Sequence, residues 1–97
     1  MPSFILSLTY TAPIEAVDAL LNDHLAWIEE NRKAGHLVAG GRKVPRTGGV
    51  LLAVGEHRAD IEAIAQTDPF ITGKVATVEV IEWHPTFTDE TVVGLRE

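Results

Sequence analysis

Phe4-Ile5-Leu6-Ser7-Leu8-Thr9-Tyr10-Thr11-Ala12-Pro13 changes its period partway along, and that change decides the fold. Up to Tyr10 the residues alternate, with Phe4, Leu6, Leu8 and Tyr10 on one side and Ser7 and Thr9 on the other, which is the pattern of a β-strand. Beyond Thr11-Ala12-Pro13 the apolar residues recur at steps of three and four instead. Proline suits a first helical turn, and Glu15 favours the positive end of the helix dipole. The spacing predicts one helix from about Pro13 to Ala34. Its outer face is Glu29, Glu30, Arg32 and Lys33, and Gly35 is its C′ residue.

Further along, His36-Leu37-Val38-Ala39-Gly40 reads as a second strand. Gly41 to Gly48 reads as a loop carrying three of the eight basic side chains. Gly49 to Val54 is a central strand, expected to be buried on both faces. A second helix runs from Ala59 to Thr67 with Ile61, Ile64 and Ala65 at helical spacing. Asp68-Pro69-Phe70 breaks or restarts it, because a residue before proline disfavours the α region. Val75 to Trp83 closes the sheet, with Val78, Val80 and Ile81 expected inside and Glu79 or Glu82 outside.

The order is β-α-β-β-α-β, so the fold class is α+β. It is the ferredoxin-like split βαβ arrangement, a four-stranded antiparallel sheet with two helices on one face. The other face must be covered too, because Phe4, Leu6, Leu8 or their neighbours would otherwise lie in water. A second subunit is the natural cover, and a homodimer is expected. Residues 1–84 make the domain. From 85 to 97 the pattern is weak, a tail either disordered or packing Phe87, Val92, Val93 and Leu95 across the partner.

Composition narrows the function. A chain of 97 residues supports one domain with one modest core, and 45% apolar against 23% charged residues is the balance of a folded protein. Eight Lys+Arg against fourteen Asp+Glu leave a net charge of −6, which offers nothing to a phosphate backbone and is repelled by an anionic membrane. Without cysteine there is no disulfide framework, thiolate nucleophile or Cys-based zinc site. Met1-Pro2-Ser3-Phe4-Ile5-Leu6 lacks a basic region and a long apolar stretch, so no signal peptide is expected and the default location is the cytoplasm.

One residue conflicts with its surroundings. Val17, Leu21, His24, Leu25 and Ile28 share a helical face that should be buried, where leucine would be expected at position 24. A buried imidazole needs partners for its ring nitrogens. The best candidate is Asp68, which gives a His–Asp acid–base pair. The plain alternatives are a core histidine bonded to a backbone carbonyl, and an aspartate serving an Asx turn or helix cap. If the histidine is kept for chemistry alone, leucine at position 24 should hold or raise thermal stability by relieving the polar burial.

With these pieces in order the chain resembles the YciI-like (YCII-related) family of the dimeric α+β barrel group over about residues 4 to 84. The resemblance is carried by Asp23-His24-Leu25, by Gly35-His36-Leu37 with Ala39-Gly40-Gly41, by Asp68-Pro69-Phe70 with Gly73, and by the strand ending at Trp83. It implies a small dimeric enzyme with a His–Asp active site, which falls here on His24 and Asp68. The family often has proline after the glycine of the second strand. Arg42 follows Gly41 here, so this rim of the pocket departs from that pattern.

On this reading His24 is a general base and Asp68 fixes which ring nitrogen carries the proton. Tyr10, Gly41 and Phe70 are expected in the pocket wall. Arg42 or Arg46 would hold an acidic substrate if the loop closes over the pocket, the alternative being a solvated loop. Gly40-Gly41 and Gly48-Gly49 lack the context of a phosphate cradle. His24, His36, His57 and His84 follow no ligand spacing, so no metal is expected, and no cofactor motif appears. Trp27 and Trp83 read as packing or dimer-surface residues. The expected activity is a cofactor-independent isomerase or lyase acting on a small cyclic or carbonyl-activated substrate. The alternatives are a non-enzymatic small-molecule binder or accessory subunit and, further off, a haem- or quinol-handling monooxygenase of the same barrel group.

Overall fold

The alternation of the first strand is used in full. In the computed structural model, which describes residues 2–92, β1 (Ser3–Tyr10) buries Phe4, Leu6 and Leu8 on one face. It lies between β3 (Gly48–Val54) and β4 (Ala76–Trp83), and β2 (Leu37–Arg42) flanks β3, in the order β2-β3-β1-β4 with every pair antiparallel. Leu6 lies opposite Leu51 and Val80, and Leu8 opposite Gly49 and Val78. The helices α1 (Ile14–Ala19), α2 (Leu21–Lys33), α3 (Arg58–Ala65) and α4 (Pro69–Thr72) complete the ferredoxin-like α+β fold. Val17, Trp27, Ile61 and Phe70 from them close over Phe4, Leu6 and Leu51 to form the core.

The helix expected over Pro13 to Ala34 is split in two, while the second ends ahead of Asp68 and restarts at Pro69, as expected. The long one breaks at Leu20, whose φ of −105° and ψ of 2° leave the helical region. No glycine or proline lies between Pro13 and Ala34 to announce this. Leu20 seats against Gly73, where a Cβ would collide with its methyl group and lie 2.8 Å from the Pro69 carbonyl oxygen. His24 and Trp27 turn inward, and Leu25 is 52% exposed rather than buried. The helix ends as expected at Gly35, whose φ is +85°. The His36 N–H donates to the Asn31 carbonyl at 2.9 Å and the Gly35 N–H to the Arg32 carbonyl at 3.1 Å, which is a Schellman closure.

Smaller differences follow from pairing. Gly41 and Arg42 belong to β2 rather than to the loop, because they pair with Val50 and Gly49. In β3 only Leu51, Ala53 and Gly48 are buried, while Val50, Leu52 and Val54 on the opposite face are half-buried. Phe4, Leu6 and Leu8 lie under the helices; it is their neighbours on the uncovered face, Ile5 among them, that need a cover. Ile81 is on that same face opposite Ile5 and is 41% exposed, not buried as expected. In the tail Phe87 is 89% exposed and Val92 41%, and the expectations for Val93 and Leu95 fall outside the described residues. Among the described residues no helix is long and apolar enough to cross a membrane.

Candidate active site

Asp68 is where the site begins. The residue ahead of Pro69 takes an extended conformation with φ −59° and ψ 127°, and α4 starts at the proline. Asp68 is the N-cap, its Oδ1 accepting from the Phe70 backbone N–H at 2.9 Å. The same oxygen accepts from Nδ1 of His24 at 2.7 Å, joining α2 to the start of α4. The two side chains are 10% and 1% exposed, so this contact is out of water. Asp68 Oδ2 is buried with no hydrogen-bond partner among the described residues.

The ring is held on its flat side as well. Phe70 stacks on His24 with centroids 3.9 Å apart and planes 6° from parallel. Tyr10 meets the edge of Phe70 at 5.8 Å. One turn along α2, the Trp27 indole N–H donates to Thr67 Oγ1 at 2.8 Å, and the Thr67 hydroxyl donates to the Ile64 carbonyl at 2.6 Å. That second link ties α2 to the residue just before Asp68. A carboxylate only accepts, so Nδ1 donates and Nε2 keeps a lone pair. Nε2 makes no hydrogen bond among the described residues.

His24 opens onto a cavity of about 600 Å³ between α2 and the helix-facing side of β1, β2 and β3. Its floor is hollow because Gly40 and Gly49 carry no side chains where the sheet faces α2. A Cβ on Gly40 would come within 2.6 Å of the Leu51 side chain. Tyr10, Gly41, Arg42, Arg46 and Phe70, all read from sequence as wall candidates, line this cavity together with His24. Asp68 stands behind the imidazole rather than in the wall. Sequence reading missed Leu25, Ile28 and Gly49 as wall residues; Leu25 shares a helical face with Leu21, His24 and Ile28 as the spacing has it, but that face looks onto the cavity rather than a filled core.

The two arginines differ. Arg46 Nη2 donates to Asp18 Oδ1 at 2.7 Å, and its guanidinium carbon lies 5.7 Å from the centre of the Tyr10 ring. The hydrogen bond to Asp18 holds Arg46 above its ordinary pKa. Arg42 makes no hydrogen bond or ion pair among the described residues. Lys43, the third basic residue of this stretch, reaches Thr9 Oγ1 at 3.5 Å. No three His, Cys, Asp or Glu side chains gather as metal ligands among the described residues.

The model of the YCII-related domain matches residues 3–84. The chain belongs to the YCII-related domain family. No protein of curated description matches this member of the family. Among solved structures it is similar to 5-chloro-2-hydroxyhydroquinone dehydrochlorinase (TftG) from Burkholderia phenoliruptrix AC1100, in complex with 2,5-dihydroxybenzoquinone. The TM-score is 0.71 at 18% identity, over 86% of this YCII-related chain and 93% of the other. At that identity the likeness speaks for the fold, a four-stranded antiparallel sheet with helices. The YCII-related match spans every residue of the His24–Asp68 contact and every wall residue named above.

Proposed function

We propose that the cavity is an active site for proton transfer on a small cyclic or carbonyl-activated substrate, with His24 as general base and Asp68 as its orienter. The observation that carries this is the buried 2.7 Å contact between Nδ1 and Asp68, which leaves the other ring nitrogen for the cavity. Nε2 takes a proton from an acidic C–H or O–H of the bound ring, and the electron pair moves onto a carbonyl oxygen as an enolate. Isomerisation follows when His24 returns that proton to another carbon. Elimination follows when the electron pair moves back and expels a leaving group such as chloride from the adjacent carbon, the imidazolium then passing its proton to water. Asp68 balances the charge the ring acquires in either case. The similar fold of a dehydrochlorinase that holds a hydroxylated quinone supports this reading of the chemistry.

We also infer that two copies pair through the uncovered sheet face, where Ile5, Val50, Leu52 and Val54 are half-buried and Ile81 is exposed. Residues up to 84 make up the working domain in this scheme, and residues 85–92 lie against the partner.

The test supplies 5-chloro-2-hydroxyhydroquinone, small lactones and cyclic diketones in D₂O, following chloride release and H/D exchange by NMR. His24→Asn keeps a donor for Asp68 and removes the base. At least one compound should react with the unaltered protein, and roughly 10²–10⁴-fold more slowly with His24→Asn. Reaction that survives this substitution, or none with the unaltered protein, defeats the proposal.

A further inference from the structure

In a protein of net charge −6, no carboxylate lines the cavity among the described residues; its ionisable wall residues are Tyr10, His24, Arg42 and Arg46. A cavity so lined is biased toward anions, against the sign of the protein as a whole. The two guanidinium groups are not equivalent. Arg46 is engaged by Asp18 and by the Tyr10 ring, and Arg42 has no partner among the described residues. Arg42 stands on the helix-facing side of β2 in register with Gly49, which has no side chain to crowd its stem.

We propose that Arg42 is the residue that selects the substrate, its free guanidinium docking a carboxylate carried on a small apolar or aromatic body. This deepens the reading of His24 as base and rests on it for what happens after binding, though not for the binding itself. A guanidinium presents a planar fork that matches the two oxygens of a carboxylate. Leu8, Leu51 and Phe70 give the hydrocarbon part an apolar wall. A phosphate would call for a cradle of backbone N–H groups, which the glycine pairs of this chain do not form. Arg46 instead braces the loop between β2 and β3 against α1.

The test is a titration of the full chain, labelled with ¹⁵N, using sodium benzoate and its neutral counterpart benzamide. The Gly41, Arg42 and Gly49 amides report binding, and the same spectrum reports whether each variant is folded. Benzoate should bind saturably at millimolar concentration and benzamide at least about tenfold more weakly. Arg42→Gln should abolish that preference and Arg42→Lys keep part of it. Arg46→Gln should change it by no more than about threefold. The proposal is overturned by equal binding of the two compounds, by a preference that survives Arg42→Gln or vanishes with Arg46→Gln, or by no saturable benzoate shift. Because the titration needs no turnover and leaves His24 unchanged, it can succeed where the base reading fails, and the reverse.

Discussion

Leucine in place of His24 should destabilise the protein, the opposite of what the sequence suggests. From the pattern alone, an apolar residue on an apolar face ought to be neutral or better. The structure reverses the sign because of what is left behind. Asp68 is 1% exposed, and among the described residues its Oδ2 has no partner and, without the imidazole, its one remaining donor is the Phe70 N–H at 2.9 Å. Taking the imidazole donor away from a buried carboxylate leaves that charge uncompensated and costs about 3–5 kcal/mol. The added apolar burial of leucine returns about 1 kcal/mol. A net loss of about 2–4 kcal/mol in a domain of this size lowers the melting temperature by roughly 10–30 °C. Adding Asp68→Asn removes the stranded charge and keeps an oxygen for Phe70 N–H, so the double variant should regain more than half of the loss. Thermal and urea melts of the parent, both single variants and the double variant at one pH give the cycle. A His24→Leu protein as stable as the parent, or a cycle additive within about 0.5 kcal/mol, refutes the reasoning.

Asp68→Asn alone should disturb the site in one of two ways. Its amide N–H₂ replaces either Oδ2, where no acceptor waits among the described residues, or Oδ1, which accepts from both Nδ1 and the Phe70 N–H. The first costs about 1–3 kcal/mol, and the second moves the ring proton to Nε2 and lowers turnover by roughly a thousandfold or more. Long-range ¹H–¹⁵N spectra of the ring read which nitrogen is protonated, and an unaltered pattern together with an unaltered melting temperature contradicts the assignment. Lys74→Gly should stabilise the protein by about 0.5–1 kcal/mol, because Lys74 sits at φ 60° just past α4. Denaturant melts check it, and a lower midpoint counts against strain at that residue.

Sequence reading reached the four strands of the ferredoxin-like fold and the His24–Asp68 contact for the same reason: both leave a mark on local pattern. Alternation in β1 states which face is buried, and a lone imidazole on an apolar stripe states that a partner must exist. Asp-Pro at the mouth of a helix restart names the residue whose backbone is fixed well enough to be that partner. The break at Leu20 leaves no such mark, since no glycine or proline stands there. Leu25 is exposed because its face of α2 looks onto a cavity, which a pattern of apolar residues does not distinguish from a filled core. Ile81 was misplaced for a simpler reason. In a strand, Val80 and Ile81 point to opposite faces, and one of them had to leave the core.

The helical phase accounts for the position of the site. Counted at about 100° per residue from Val17, His24 falls about 20° from the same line and Leu25 about 80° from it, so the imidazole takes the core side of the helix and Leu25 its edge. His24 lies in the first turn of α2, where its N–H bonds the Leu20 carbonyl at 3.0 Å and its ring faces Asp68 and Phe70. Leu25 lies in the wall of the cavity, opposite a floor made shallow by Gly40 and Gly49. A side chain at Gly73 would lie 2.8 Å from the Pro69 carbonyl oxygen, so the turn that holds Asp68 would have to shift, whereas the Leu20 methyl group it also meets is the free end of a side chain that can turn away.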